Sequence, residues 1–470
     1  STACMPMDGD GSYFYPVAGG EAGYIAPDPR VSDVFYAGSY QGFLTRYDRR
    51  TGQARNIEVW PEFVIGHEAA RARERFQWTY PILISPQDPN VVYVGSQHVW
   101  RTRNDGQTWE RLSPDLTRAD PQTLTRADLI MQDHNSQDYY ATVFTIAASP
   151  QDPDVIWAGS DDGLIHVTRD GGASWQNVTP PDLPEFARAS LIVASPHTPG
   201  KAYLAAEKYK LQDVNPYIFK TEDYGRTWTK IVNGIPWGHF VRAVKEDPVK
   251  PGLLYAGTER GPYVSLDDGG TWVPLSLNLP NVQVSDVEIA KNDVVVSTYG
   301  RGFWILDGAA TVLRQLTSQI AGRPLLVFEP SDVIRSRAGP LDGVDDALYG
   351  RTRLPGANRA EVYYQLASPA REVTVDILDS TGELVRSFSS TREPWQPMRS
   401  SVGQVINNER WGSATPVTPP STGAGLHRFV WDLMYPPAAD FPRLRSRDAN
   451  VNGPIAPPGA YQVRVMADGR

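Results

Sequence analysis

Two aspartates stand side by side in the stretch SDDGL, Ser160 to Leu164. Paired carboxylates suit glycoside hydrolysis, one acting as acid and the other as base or nucleophile. Adjacent residues at a strand end point apart, so Asp161 and Asp162 do not face one bond together, and turn stabilisation is their simpler role. A working pair needs carboxylates from separate parts of the chain. Asp138, Asp161 and Glu259 are the candidate catalytic residues on that ground. The candidates for holding a ligand are the aromatics Trp78, Tyr80, Tyr139, Tyr140 and Tyr299, with the polar groups His134, His239, Arg242 and Arg301. Aromatic faces stack on sugar rings or grip a peptide, and beside apolar strands they serve equally well as core.

Other chemistries find less support. Asp133, His134 and Asp138 carry metal-ligand chemistry but follow no recognised ligand spacing, so solvated loop residues is the simpler reading and no metal is expected. No nucleophile elbow, phosphate loop or His-rich zinc motif is present, and no cofactor is expected. The net charge of −9 argues against a nucleic-acid partner, which calls for a basic face. No apolar run approaches the length of a membrane span. One cysteine, Cys4, leaves no internal disulfide framework.

The elements that must position these residues are repeats. Four stretches nearly coincide: TRNDGQTW at 102–109, TRDGGASW at 168–175, TEDYGRTW at 221–228 and SLDDGGTW at 265–272. A second motif precedes the boxes, APDPRVSDVFYAGS at 26–39, SPQDPNVVYVGS at 85–96 and SPQDPDVIWAGS at 149–160, with weaker copies from 195 and 246 and a sixth from 291 that has lost its prolines. Each unit reads strand, Pro-Asp turn, apolar strand ending in Gly-Ser, short loop, strand, box turn, strand. Four short strands per unit is the spacing of propeller blades. The box then has a mechanical reading. Its Asp accepts backbone N–H groups across the turn, with Asn104 doing so in the first box; its Gly takes a positive φ; and its Trp wedges between blades.

These stretches resemble Asp-box (BNR) repeats of sialidases, xyloglucan-cleaving glycosidases and sortilin-type receptors. The nearer resemblance is to large bacterial "glycosyl hydrolase" or sortilin-like proteins, carried by GGEAGYIAPDPR at 19–30, GSYQGFLTRYDRRTGQARNIEVWP at 38–61, AGSDDGLIHVTRDGG at 158–172 and GRGFWILD at 300–307. It implies an extracytoplasmic, secreted, periplasmic or cell-surface protein with two successive propellers and a terminal sandwich. This chain would hold the second propeller and the sandwich, its upstream propeller lying on missing sequence or on a cleaved partner chain. A sialidase site would need three arginines around a carboxylate; Arg242 and Arg301 are candidates, but its Tyr–Glu arrangement is not recognisable.

The expected architecture is all-β: a propeller over 1–308, a connector over 309–359 and an Ig-like sandwich, cut short at its end, over 360–470. Six units run from Gly19 to about Val312, so a seven-bladed ring would hold six blades and part of a seventh, with residues 1–17 as outer strands. A six-bladed ring closed by residues 1–17 is the alternative. The box turns fall on one face. The other face gathers the loops between second and third strands and between blades, and its channel mouth is the expected ligand site, nearer blades 1 to 3 because insertions at 61–81 and 114–142 fall there. Two function classes follow: a module that recognises a glycan or peptide at the mouth, and a glycoside hydrolase or lyase using carboxylates there. A scaffold in a larger assembly is a third.

Overall fold

The structure is a computed structural model that describes residues 3–4, 15–21, 23–62, 68–124, 139–316, 323–333, 359–391, 418–436 and 453–470. The chain divides into two compact units, with the boundary between Asp307 and Gly308.

The first unit is a β-propeller. Five four-stranded antiparallel sheets and one three-stranded sheet follow one another along the chain, each in simple sequential strand order. Blade 1 holds Ile25–Pro27, Val34–Gly38, Leu44–Asp48 and Gln53–Asn56; blade 2 holds Ile82–Ile84, Val92–Gly95, Val99–Thr102 and Glu110–Arg111. Blade 3 comprises Val143–Ala148, Ile156–Ser160, Ile165–Thr168 and Gln176–Asn177; blade 4 comprises Arg188–Ala194, Ala202–Lys208, Asp213–Thr221 and Thr229–Lys230. Blade 5 is Val241–Glu246, Leu254–Thr258, Gly261–Ser265 and Val273–Pro274, and blade 6 is Val284–Ala290, Asp293–Thr298 and Gly302–Leu306. First strands of successive blades lie against one another, which makes them the inner strands around the axis. Second strands are buried on both faces, VFYAG in blade 1 and IWAGS in blade 3, because both faces are covered: blade 3 by blades 2 and 4, blade 1 by blade 2 and residues 15–17.

The box turns join third strands to fourth strands and also fasten each blade to the one before it. Trp109, Trp175, Trp228 and Trp272 donate their indole N–H to the carbonyls of Ile57, Leu112, Val178 and Ile231, at 2.7 to 2.9 Å. Those four acceptors lie just past the last strand of the preceding blade. The box glycine touches the same residue: a Cβ at Gly106 or Gly225 would stand 2.6 or 2.7 Å from Ile57 or Val178, and φ is +77° and +82° there. The turn itself is held by its acid. Asp170 accepts the Thr168 hydroxyl at 2.7 Å and the Ser174 N–H at 2.9 Å, and Asn104 takes the corresponding bonds from Thr102 and Thr108 at 3.0 Å.

A two-stranded ladder, Ala3–Cys4 with Tyr15–Pro16, stands apart from the six sheets. Val17 packs with Phe35 and Ala37 of blade 1, whereas the intervening Tyr36 packs toward Ile82 and Val92 of blade 2. Alternation along the strand therefore puts residues 15–17 on the face of blade 1 away from blade 2.

The second unit contains a β-sandwich. One sheet orders Leu325–Val327, Ala360–Leu366 and Gly425–Trp431; the other orders Leu384–Ser389, Val373–Asp379 and Tyr461–Ala467. Inward Val362, Tyr364, Val375, Ile377, Phe429 and Val465 build a shared core that includes Trp431. Leu325–Val327 lies inside the stretch read from sequence as connector, and so does the helix Ala309–Gln315. A three-residue strand is too short to show alternation, which is why the sequence pattern misses it.

Candidate functional site at the channel mouth

Inner strands begin at the mouth and second strands end there. Strand register makes positions comparable between blades: Ser160 pairs Val143, Ala206 pairs Ala189 and Thr258 pairs Val241. The next residue is a carboxylate in each case, so Asp161, Glu207 and Glu259 occupy one position in three consecutive blades. Each inner strand here carries a bulge just after that pair, between Val143 and Thr145, Ala189 and Leu191, and Val241 and Ala243. A bulge adds a residue to one strand and re-aims its side chain, here Phe144, Ser190 and Arg242.

The three acids have different partners. Asp161, 4% exposed, accepts the Thr142 N–H at 2.8 Å and the Thr142 hydroxyl at 2.9 Å. Glu207, 2% exposed, pairs with Arg188 on the neighbouring strand and with Arg242 of blade 5 at 3.5 Å. Half-buried Glu259 accepts the side-chain amide of Gln283. Asp162 serves its own turn and the insertion, taking the Ser160 hydroxyl at 2.5 Å and the Arg118 N–H at 2.8 Å; burial pushes its carboxyl above the usual range.

One cleft gathers Tyr140, Asp161, Arg188, Glu207 and Tyr209, with Gln77 at its side. It spans blades 3 and 4, further round the ring than the insertions alone suggest. Tyr140 is placed by its neighbours. Tyr139 buries its ring with Ala69 and Ala72, Arg75 donates to the Ala141 carbonyl at 3.0 Å, and Asp161 holds Thr142. The Tyr140 hydroxyl is buried and has no hydrogen-bond partner among the described residues. Burial first, then the charges of Asp161 and Asp162, push that phenol far above its usual range, so it stays neutral.

The opposite wall is cationic and aromatic. Tyr209 begins a one-turn helix, Tyr209–Leu211, and stacks on Phe240 with centroids 4.7 Å apart and planes 5° from parallel. The Arg242 guanidinium lies 4.9 Å from the Tyr209 ring centroid, and Arg188 lies 4.5 Å from that of Phe144. Burial pushes the Tyr209 phenol up, but a hydrogen bond from Arg242 and the charges of Arg242, Arg188 and Lys210 outweigh it and bring it below the usual range.

At blade 2 the corresponding mouth residues hold the insertion down instead. Gln97 accepts the Arg75 N–H at 2.7 Å and donates to the Arg73 carbonyl at 2.9 Å. Glu74 collects the Ser96 hydroxyl at 2.6 Å, His98 Nδ1 at 3.0 Å and the Trp100 indole at 3.3 Å.

Of the residues singled out from sequence, Tyr140 and Asp161 line the cleft, and Arg242 reaches its Glu207. Tyr139 packs beneath the insertion. Tyr80 is core between blades 1 and 2, its hydroxyl donating to the Phe43 carbonyl at 2.7 Å. Its size and apolar ring decide that place, because the strand it leads into is inner and both blades close on it. Trp78 meets Tyr40 at 5.5 Å between ring centroids. His239 contacts the Tyr263 hydroxyl at 2.9 Å, Tyr299 is 78% exposed, and the Arg301 carbonyl accepts the Trp304 indole at 3.1 Å. Asp138 and His134 lie outside the described residues, as do Asp133, Asp128 and His67. Sequence reasoning missed Arg188 and Tyr209. The signal for Arg188 is its place two residues before the bulge of an inner strand; nothing in the sequence marks Tyr209 beyond the stretch AEKYKLQDVNPY at 206–217, which extends the rim at blade 4.

Among the described residues no group of three His, Cys, Asp or Glu side chains is placed to hold a metal ion, and no helix is long and apolar enough to cross a membrane. No family model matches the chain, and no curated protein matches it. Solved structures do. A GH74 xyloglucanase from Xanthomonas campestris is 19% identical, with 60% of this chain and 44% of that chain covered and a TM-score of 0.42. A GH74 enzyme from Niastella koreensis is 16% identical over 60% of this chain and 44% of that chain, TM-score 0.43. YCF48 from Cyanidioschyzon merolae is 10% identical over 72% of this chain and 90% of that chain, TM-score 0.37. The chain thus spans under half the length of the two GH74 enzymes.

Proposed function

We propose that the propeller is an extracytoplasmic recognition module that binds a saccharide at its channel mouth, in the cleft over blades 3 and 4. The observation that carries this reading is the Tyr140 hydroxyl, buried and without a partner among the described residues, in a cleft that also presents Asp161 and Arg188. A buried hydroxyl left unpaired costs about 1–3 kcal/mol, and a ligand hydroxyl that meets it recovers that cost. Sugars suit such a wall because each ring offers an apolar C–H face to Tyr209 and hydroxyls to Arg188 and Asp161. A peptide is the other ligand class that the mouth would accept.

The test is a glycan array probed with the chain and its Tyr140→Phe and Arg188→Ala variants. Tyr140→Phe should keep or raise the melting temperature, since it removes an unpaired polar group, while lowering the array signal. A stability loss with unchanged binding would overturn the reading.

A second reading is glycoside cleavage by Asp161 and Glu207, favoured by their sharing one cleft. Against it stands the engagement of both acids: Thr142 occupies Asp161, and two guanidinium groups hold Glu207. A reducing-end release assay on the array's positive glycans decides between them. Release that disappears in Glu207→Gln makes the propeller an enzyme.

A further inference from the structure

A second hollow opens on the mouth face at blades 5 and 6, lined by Trp237, Gly238, His239, Arg260 and Asn281. None of these residues lines the cleft at Tyr140. Trp237 is 74% exposed, yet the turn that carries it is braced. Ile235 is buried and its N–H donates to the Val232 carbonyl at 3.0 Å. The N–H of Gly238, at φ +85°, reaches the Val214 carbonyl at 3.2 Å, and that of His239 reaches the Pro236 carbonyl at 3.2 Å. A large indole left in solvent on a braced turn presents a flat apolar face at a defined place on the hollow.

The polar groups around it narrow what covers it. His239 meets the Tyr263 hydroxyl through Nδ1 at 2.9 Å, which leaves Nε2 as the ring's other polar atom. Arg260 brings a guanidinium fork and Asn281 an amide. An apolar plate edged by a ring nitrogen, an amide and a guanidinium matches a pyranose, whose flat C–H face and in-plane hydroxyls need those two kinds of surface at once. A lipid or an apolar peptide would leave the polar edge unpaired.

We propose that Trp237 is the stacking platform of a second saccharide-binding site, with His239, Arg260 and Asn281 contacting the hydroxyls of the stacked ring. The site stands on its own residues and does not require the cleft at Tyr140 to bind.

Affinity electrophoresis of the full chain in gels cast with xyloglucan, polygalacturonate or mixed-linkage β-glucan tests it. At least one polymer should retard the wild-type chain, and Trp237→Ala should weaken that retardation about two- to tenfold, the range for losing one aromatic contact. Trp237→Phe should recover part of it. The melting temperature should not move, because Trp237 contributes little to the core. Arg188→Ala should keep the Trp237-dependent part of the retardation, which separates failure of this site from failure of the cleft. Trp237→Ala migrating as wild type in every gel would overturn the proposal, and so would a wild-type chain unretarded by all three polymers.

Discussion

Asp161 accepts both hydrogen bonds that Thr142 can donate, from its N–H at 2.8 Å and from its hydroxyl at 2.9 Å. The acid that sequence marks for catalysis therefore fixes the short segment that carries Tyr140 into the cleft. Thr142 is fully buried, so removing the acceptor leaves two buried donors unpaired. Asp161→Ala is expected to cost about 2–4 kcal/mol in urea denaturation, with ligand affinity reduced as well. Asp161→Asn keeps an acceptor and should cost less than half as much. Equal losses in the two variants would show that charge, not geometry, holds the segment.

Glu207 pairs with Arg188 within blade 4 and joins that blade to blade 5 through Arg242. Glu207→Gln removes the negative charge facing two guanidinium groups that are only 18% and 16% exposed, so a destabilisation of about 3 kcal/mol is expected. A double-mutant cycle of Glu207→Gln with Arg188→Met should show a coupling above about 1 kcal/mol. Additive losses would mean that the pair is not an energetic unit.

The box tryptophans fasten blades and should not affect ligands. Trp272 is 2% exposed and Trp175 is only half-buried, so Trp272→Ala should cost about 3–5 kcal/mol and Trp175→Ala clearly less. Glycan binding by the folded fraction should be unchanged in both. A structure-preserving Trp175→Ala variant that loses its ligand would place the box in the site.

Acid should loosen the box turns. Hydrogen bonds from Ser174 hold the exposed Asp170 carboxyl down to about 2, and Asp223, despite an opposing push from burial, is held to about 2 by Thr227. An unfolded aspartate titrates near 3.8, so the folded chain binds fewer protons between the two values. The stabilisation is complete above about pH 4 and is lost as the pH falls toward 2. Fluorescence-monitored melts from pH 5 to 2 should fall more steeply for wild type than for a variant carrying Asp170→Asn and Asp223→Asn, since Asn104 already fills this role without titrating. Parallel curves would show that the turn acids do not set acid stability.

Local sequence settled the blades and the roles inside the box. The Asp or Asn that closes each turn, the Gly at positive φ and the Trp that reaches back are dictated by short-range turn chemistry and by the size of one side chain, and both are readable from eight residues. The mouth position after the second strand was also legible, because the repeated motif aligns the strand ends, and this brought Asp161 and Glu259 forward. What only the tertiary structure decided is which of these acids share a cleft and what each one holds. Glu207 meets Arg242 across a blade boundary, Arg75 reaches Ala141 from an insertion 66 residues earlier, and Tyr209 finds Phe240 in the next blade. Tyr80 and Tyr140 look alike in sequence, each an aromatic leading into an inner strand, yet one is sealed between blades and the other ends in the cleft. Burial of that kind depends on the packing of neighbouring blades, which pairs residues far apart in the chain and leaves no periodic trace in the sequence around either tyrosine.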